Sequence, residues 1–274
     1  MTSGRITSVS NQRLKAALRL RGRRERDRDG LTLIDGVRET MRAMSGGAVL
    51  REAFVVPELC LEPECRALLE RLREHSVPLV ELGREAFERL AYGDRVDGVV
   101  AVAVTPQGSL NDLRLPAEPL VAVVEGVEKP GNLGAILRSA DGAGVSAVVV
   151  ADSAGDLFNP NVIRASIATV FSVPVAVGST ADVLDWLRRR SLRIVATRVD
   201  APAEYFDVDL TGPVAIALGS EAHGLSDAWG ELTTASVRVP MLGVGDSLNV
   251  SATAAILFYE ALRQRAAATR RGRT

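Results

Sequence analysis

The sequence contains few of the residues that bind metals. Its 274 residues include only two cysteines, Cys60 and Cys65, and two histidines, His75 and His223, which are far apart in the chain. Because the two histidines are so far apart, the chain offers too few neighbouring ligands for a Cys/His metal site. We therefore predict that the chain holds no metal.

Long apolar runs are also missing. No stretch approaches the roughly 20 apolar residues that span a bilayer, and the start, Met1-Thr-Ser-Gly-Arg-Ile6, lacks the apolar region of a signal peptide. Hydrophobic residues still make up 47% of the chain, which is enough for sizeable cores. The sequence predicts a cytoplasmic protein with no membrane contact and one large or two ordinary domains.

The net charge of −1 conceals a basic cluster near the N-terminus. Eight basic residues fall between positions 13 and 28, against two acidic ones, Glu25 and Asp27. The basic members are Arg13, Lys15, Arg19, Arg21, Arg23, Arg24, Arg26 and Arg28. Such a cluster can contact phosphates, or it can be the solvated face of a helix, and its charge fits both interpretations.

Composition and periodicity divide the chain into three parts. Residues 1–105 predict a small α/β domain, and residues 106–118, which are rich in proline and lack periodicity, predict a linker. From 119 to 274 apolar strands alternate with amphipathic helices, which predicts a mainly parallel sheet covered on both faces. The strands are predicted at 120–124, 147–151, 173–177, 193–197, 213–218 and 236–239, and the helices near 133–143, 160–171, 181–190 and 250–267.

Two patterns point to functions that their context does not support. Residues 142–147 match the dinucleotide-binding pattern G-x-G-x-x-A, but here a predicted helix precedes the glycines and a strand follows them. We interpret Gly142 and Gly144 as the end of a helix. Ser220 and His223 could suggest a serine hydrolase, but Gly219-Ser-Glu221 lacks the nucleophile elbow G-x-S-x-G.

Three polar, glycine-containing segments follow or precede predicted elements of the third part. The first runs from Glu125 to Arg138, with Asn132 as a helix N-cap and Arg138 at the flank of the apolar helix face. The second, residues 218–225, ends a strand at Gly219, where backbone can contact a flat ligand. The third, residues 239–251, has Ser247 and Asn249 at or just before a helix N-terminus, where backbone N–H groups gather. Because parallel sheets bind ligands at the carboxyl ends of their strands, the three segments predict one site.

Taken together, the segments resemble the SpoU family of RNA 2′-O-ribose methyltransferases, in the knotted SPOUT superfamily. The resemblance rests on Pro130-Gly-Asn132-x-Gly134-Ala-x-x-Arg138, Gly219-Ser-Glu221-x-x-Gly224, Val239-Pro-Met241 and Ser247-Leu-Asn-Val250. The chain looks most similar to members acting on 23S ribosomal RNA, including those that confer antibiotic resistance on producing bacteria. Residues 33–38 resemble the strand–turn–helix of the family's accessory RNA-binding domain, except that Asp35 stands where a glutamate is expected.

The resemblance implies a C-terminal α/β domain with a deep trefoil knot, S-adenosylmethionine as cofactor, and ribosomal RNA as partner. It also implies a homodimer with sites at the subunit interface, in which the last helix presents Ala252, Ala255, Ile256, Tyr259 and Leu262 to the other subunit. The implied catalytic residues are Asn132, Arg138, Glu221, Ser247 and Asn249. The implied cofactor-binding residues are Thr197, Gly219, Ser220, Glu221, Val239, Pro240, Met241 and Leu248.

Three alternatives and one mechanistic question stay open. The chain could methylate the ribose of a transfer RNA or an RNA base, or it could be a non-catalytic RNA-binding protein of the same fold. Family accounts make the arginine a general base, but arginine stays protonated up to very high pH. A phosphate-linked or purely electrostatic role for Arg138 is physically easier, and the sequence is compatible with its acting in its own subunit or across the dimer.

Overall fold

The computed structural model describes residues 5–92, 97–106, 108–152 and 155–271. Contacts divide the chain into two units, Met1–Gln107 with Asp156–Ser172, and Gly108–Gly155 with Val173–Thr274. Residues 156–172 thus belong to the first unit by their contacts, although they fall in the predicted third part. The domain limits 1–105, 106–118 and 119–274 remain a prediction, and positions 1, 107 and 274 lie outside the described residues.

The described residues form helices and strands that follow the predicted elements closely. The helices are α1 (Gln12–Arg19), α2 (Arg23–Asp29), α3 (Val37–Ser45), α4 (Pro63–Glu74), α5 (Arg84–Leu90), α6 (Pro130–Ala143), α7 (Pro160–Ala165), α8 (Thr180–Arg189) and α9 (Val250–Arg271). The strands are β1 (Leu31–Asp35), β2 (Leu50–Val55), β3 (Leu79–Glu81), β4 (Val99–Val104), β5 (Leu120–Glu125), β6 (Ala147–Ala151), β7 (Val175–Gly178), β8 (Arg193–Thr197), β9 (Ala203–Glu204), β10 (Val214–Leu218) and β11 (Ala235–Arg238).

The first unit is built on a four-stranded sheet in the order β1-β4-β2-β3. Strand β4 is Val-Val-Ala-Val-Ala-Val, with five of its six residues buried, and it pairs antiparallel with β1 and β2. Its core includes Leu14, Phe54 and Phe87, which are fully buried. Helix α7 packs on β1, and the Thr32 hydroxyl donates to the Phe158 carbonyl at 2.6 Å. The predicted α/β character of this region is confirmed.

The second unit contains a seven-stranded sheet in the order β7-β6-β5-β10-β8-β11-β9. Every neighbouring pair is parallel, so the predicted parallel sheet is confirmed. Strands β5, β6 and β10 are buried along their whole length, because helices or loops cover both faces of a parallel sheet. Parallel pairing brings the carboxyl ends of β8, β10 and β11 to one edge, where the next segments begin.

Helix ends account for the main differences from prediction. Helix α6 begins at Pro130 with Lys129 as N-cap, so the prediction of Asn132 as N-cap is wrong; proline suits the first helical position because its φ is already helical. The single helix predicted at 160–171 is also wrong, since α7 ends at Ala165 and positive φ angles at Ile167 and Ala168 precede a 3-10 turn. Gly144 ends α6 in the left-handed conformation, which confirms its interpretation as a helix stop.

Two observations concern metals and membranes. Within the described ranges, no group of three or more His, Cys, Asp or Glu side chains is placed to hold a metal ion. Over the same residues, no helix combines the length and the apolar character needed to cross a bilayer. The sulfur atoms of Cys60 and Cys65 are in contact, and the two Cα atoms lie 5.2 Å apart.

Candidate active site

A hydrogen-bonded cluster joins the three polar segments in the second unit. The Glu221 carboxylate forms an ion pair with the Lys129 ammonium. It accepts a second hydrogen bond from Asn132 Nδ2 at 3.0 Å and a third from Asn249 Nδ2 at 2.6 Å. Asn249 Nδ2 also lies 3.0 Å from Asn132 Oδ1. Three of the five predicted catalytic residues, from segments about 90 and 30 positions apart, are therefore in direct contact.

Secondary structure positions the cluster on two helix N-termini. Lys129 and Asn132 lie at the start of α6. Asn249 immediately precedes α9, and its Oδ1 accepts from the Ser251 amide at 2.9 Å and from the Ser251 hydroxyl at 2.6 Å, as an N-cap does. The hydrogen bonds from Lys129 and Asn132 hold the pKa of Glu221 below its usual value. Glu221 is therefore ionised at neutral pH, and its carboxylate is held in place by these hydrogen bonds.

A cavity of about 730 Å³ opens at the carboxyl ends of β8, β10 and β11. Seven of the eight predicted cofactor-binding residues line it, and the predicted catalytic residue Ser247 does so as well. The seven are Thr197, Gly219, Ser220, Glu221, Val239, Met241 and Leu248. Pro240 lies between two of them in sequence but is not part of the lining. The Thr197 hydroxyl donates to the Ala217 carbonyl at 3.0 Å, so it ties β8 to β10.

Gly219 lines the cavity and also allows a tight turn after β10. A Cβ atom at this position would lie 2.0 Å from the Gly224 carbonyl carbon and 2.2 Å from the Leu225 nitrogen. The turn is closed by two backbone hydrogen bonds between Ser220 and Gly224, at 3.2 and 2.9 Å. The sequence singled out Gly219 because backbone there can contact a flat ligand, and Gly219 does line the cavity. That contact stays a prediction, and the tight turn supplies a second reason for a glycine.

Glu125 begins the first polar segment, but the sequence analysis assigned it no catalytic or cofactor-binding role. Its buried carboxylate, at the end of β5, accepts from the Thr180 hydroxyl at 2.7 Å, the Ser226 amide at 2.7 Å and the Ser226 hydroxyl at 2.9 Å. Burial alone would raise the pKa of Glu125, but these hydrogen bonds outweigh burial and the pKa is lowered. Glu125 thereby anchors the end of the loop that lines the cavity. An acidic residue that ends an otherwise apolar strand was the available signal.

Arg138 does not join the cluster or the cavity. It is exposed on α6, and it makes no hydrogen bond or salt bridge with any residue that the structure describes. Helix α6 packs on α9 so closely that a Cβ at Gly142 would lie 2.8 Å from the Tyr259 hydroxyl. Within this one chain, the predicted catalytic set is therefore divided into a cluster of three, Ser247 in the cavity, and Arg138 outside.

The cavity lining fits the cofactor that the resemblance implies. Its lining includes Leu218, Leu225 and Val237, which are buried and suit the face of an adenine ring. The lining also includes carboxylates, among them Glu221 and Asp246, which suit a positively charged sulfonium group. The residues present therefore fit S-adenosylmethionine.

The basic cluster of the first unit is used in two ways. Arg26 is only 2% exposed, pairs with Asp156, and donates to the Leu20 and Arg21 carbonyls at 2.9 and 2.8 Å. Arg21 donates to the Ala91 carbonyl at 2.6 Å and lies over the Tyr92 ring. The prediction that the whole cluster is a phosphate-binding or solvated face is thus wrong for Arg26, which is a buried structural residue.

Other basic residues of the cluster remain at the surface. Arg13 pairs with Glu52, Arg23 with Asp27 and Arg28 with Asp29. The remaining three, Lys15, Arg19 and Arg24, are exposed and form no hydrogen bond or salt bridge with the residues that the structure describes. These three are the members best placed to meet a phosphate.

Two known families match the chain, one in its N-terminal part and one in its C-terminal part. Residues 119–259 match the SpoU rRNA Methylase family. Residues 11–101 match the MRM3-like substrate binding domain. The first match covers all three polar segments, and the second covers the basic cluster.

Similar proteins extend over nearly the whole chain. A 23S rRNA (uridine(2479)-2′-O)-methyltransferase of Streptomyces viridochromogenes is 32% identical over 95% of this chain and 92% of its own length. A crystal structure of an RNA 2′-O ribose methyltransferase is 44% identical, with a TM-score of 0.84 over 95% of this chain and 98% of that one. The SpoU methyltransferase AviRb of S. viridochromogenes in complex with AdoMet is 30% identical, with a TM-score of 0.85 over 93% of this chain and 98% of that one.

Proposed function

Because the chain belongs to the SpoU rRNA Methylase family, we propose that it transfers a methyl group from S-adenosylmethionine to a ribose 2′-hydroxyl of 23S ribosomal RNA. The observation that carries the proposal is the contact of Asn132, Glu221 and Asn249 beside a cavity lined by the implied cofactor-binding residues. A non-catalytic RNA-binding protein would not need these three side chains in one place. The proposal includes the cytoplasmic location predicted from the sequence.

The chain's own residues position the reactants in this proposal. S-adenosylmethionine, when bound, would supply an electrophilic methyl group and leave as S-adenosylhomocysteine, while the 2′-hydroxyl proton is released to solvent. The segments around Gly219 and Val239 hold it, and the cluster of Glu221 with Asn132 and Asn249 orients the ribose, since in-line positioning is the main requirement of such a transfer. Arg138 binds an RNA phosphate rather than acting as base, because a guanidinium is a poor proton acceptor.

Ribose-specific methylation mapping tests the proposed function. Total RNA from a bacterial host expressing the chain should gain a 2′-O-methyl group in 23S ribosomal RNA, and the same host expressing Asn249→Ala should not. A new methyl group on a base, or on transfer RNA, would replace the proposed substrate with one of the alternatives. Growth of the two hosts on ribosome-targeting antibiotics tests the predicted resistance function.

We infer a homodimer from the uncovered surface of α9, and a trefoil knot from family membership. Ala252, Tyr259 and Leu262 on α9 are exposed, whereas Leu257 and Phe258 on its other face are buried. An exposed apolar stripe on a long helix is what a partner subunit would cover. The exposed Arg138, which lies outside its own chain's cavity, would then serve the cavity of the partner.

Mixing two inactive variants tests this shared site. Arg138→Ala and Asn249→Ala should each be nearly inactive yet dimeric, because neither removes buried apolar area. Exchanged heterodimers contain some sites with both residues intact, so their activity should exceed that of either parent. Heterodimers as inactive as their parents, with exchange proven by mass spectrometry, would show that each site is built within one subunit.

A further inference from the structure

The charged side chains that line the cavity differ in how fully they are already bonded. Glu221 is held by Lys129, Asn132 and Asn249. Arg238 donates to the Ala201 carbonyl at 2.5 Å and lies 3.7 Å from the Glu204 carboxylate. Both groups therefore have structural partners within the chain.

Arg198 has almost no such partner. Its guanidinium makes one long hydrogen bond, 3.4 Å from Nη2 to the Ser226 carbonyl, and no salt bridge with a described residue. Its backbone is nevertheless fixed, because the Arg198 amide donates to the Val237 carbonyl at 3.0 Å, next to Thr197 at the end of β8. The Arg198 side chain is therefore a cation that lines the cavity, is carried by a hydrogen-bonded backbone and is available to a ligand.

The cavity also has two carboxylates without partners. Asp200 and Asp246 line it and form no hydrogen bond or salt bridge with residues in the described ranges. Among the charged lining residues, one cation and two anions thus lack strong partners, in a cavity that is also lined by the buried apolar side chains of Leu218, Leu225 and Val237. This combination complements an adenosine that carries an amino-acid zwitterion, because the ring needs apolar contact and the zwitterion needs both signs of charge.

From this arrangement we propose that Arg198 binds the α-carboxylate of the cofactor's amino-acid end, a contact that rests on the proposed function. A guanidinium can hold a carboxylate through two parallel hydrogen bonds, which a lysine cannot do. The other arginine among the lining residues, Arg238, is bonded to Ala201 and Glu204. Arg198 is accordingly a binding residue that sets affinity for ligands with an amino-acid end.

Calorimetry with two ligands tests the proposal on the full-length protein. S-adenosylhomocysteine carries the amino-acid end, whereas 5′-methylthioadenosine has the same adenosine and thioether without it. For Arg198→Met, affinity for S-adenosylhomocysteine should fall about 10- to 100-fold, as expected for loss of a charge-assisted hydrogen bond. Affinity for 5′-methylthioadenosine should stay within about twofold, since that ligand makes no contact with the guanidinium.

Two further variants keep the result interpretable. Arg198→Lys retains the charge and should recover part of the affinity for S-adenosylhomocysteine. Arg189→Met, on the exposed face of α8, should bind both ligands as the parent does. Equal losses for the two ligands would mean that Arg198 only shapes the cavity, and unchanged binding of both with weaker RNA binding would assign it to RNA; either result overturns the proposal. If the parent protein bound neither ligand, the proposed function itself would fail.

Discussion

The basic cluster of the first unit and the polar segments of the second differ in what their side chains contact. In the first unit, Arg26 is buried against Asp156, and Arg21 binds a backbone carbonyl. In the second unit, Asn132, Glu221 and Asn249 bond mainly to one another at the surface beside a cavity. Charge density alone therefore did not distinguish structural from surface side chains, whereas polar residues at helix N-termini and strand ends marked side chains that come together beside the cavity.

The physical reason lies in the reach of an arginine. Its long side chain can cover apolar surface and still find a carbonyl or carboxylate several residues away. In a run of arginines on short helices such as α1 and α2, some side chains can therefore be structural residues while others are exposed to solvent. Short side chains such as asparagine reach only near neighbours, so their position follows from the backbone that carries them.

The largest expected effect would come from replacing Arg26, the buried structural residue of the first unit. Arg26→Met should lower the free energy of unfolding by about 3–5 kcal/mol, because it leaves Asp156 without its buried partner. Arg24→Met, on the same helix but exposed, should change it by about 0.5 kcal/mol or less. Urea denaturation of both variants measures the difference, and similar midpoints would show that Arg26 is not a structural residue.

The second largest effect concerns the cluster in the second unit. Glu221→Gln should reduce the rate of RNA methylation by about 100-fold, a typical loss when one preorganised group is removed from a site. Because Glu221 is at the surface, the melting temperature should hardly change. Single-turnover kinetics measure the methylation rate, and a thermal melt measures the melting temperature. A variant as active as the parent would leave the cluster with a capping role only.

Measuring the free energy of unfolding against pH would test a further charged group of the first unit, Asp35. Burial raises the pKa of Asp35 to about 6, above its ordinary 3.8, although the Tyr92 amide donates to it and Arg164 is near. The folded state then binds more protons than the unfolded state between about pH 4 and 6, so the free energy of unfolding should fall as pH rises through this range.

The matched variant for this titration is Asp35→Asn. It should remove about 1–2 kcal/mol of that pH dependence, less than the full shift implies because the carboxyl is partly exposed. Urea midpoints at pH 4, 5, 6 and 7 measure the slope. An equal slope in parent and variant would mean that another carboxyl is responsible.

The smallest effect should come from the surface members of the basic cluster. Replacing Lys15, Arg19 and Arg24 by methionine should lower the slope of log affinity for RNA against log salt by about 2–3, because each phosphate contact releases counterions. Affinity for S-adenosylhomocysteine should not change. If the slope stayed the same, these three residues would be a solvated face that makes no contact with RNA phosphates.

Several elements of the fold and the site were accessible to sequence reasoning. The apolar runs of β5, β6 and β10 predicted strands at nearly the observed limits, and Gly144 predicted the end of α6. Segment spacing also predicted that Asn132, Glu221 and Asn249 share a site, because loops after parallel strands meet at one edge. The helix start at Pro130 and the break after Ala165 were missed, since each depends on the conformation of one or two residues.

By itself, the sequence determined the type and approximate limits of most elements, the parallel character of the second sheet, and the family motifs. Hydrophobic periodicity and glycine conformation act over a few residues, so they can be read locally. Only the tertiary structure decided that β10 lies between β5 and β8, that Arg26 is buried, and that Glu125 anchors the cavity loop. The β5–β10 pairing, the Arg26–Asp156 pair and the Glu125–Ser226 hydrogen bonds each join residues more than 90 positions apart. Which distant groups meet is set by how the whole chain packs, and no local pattern records it.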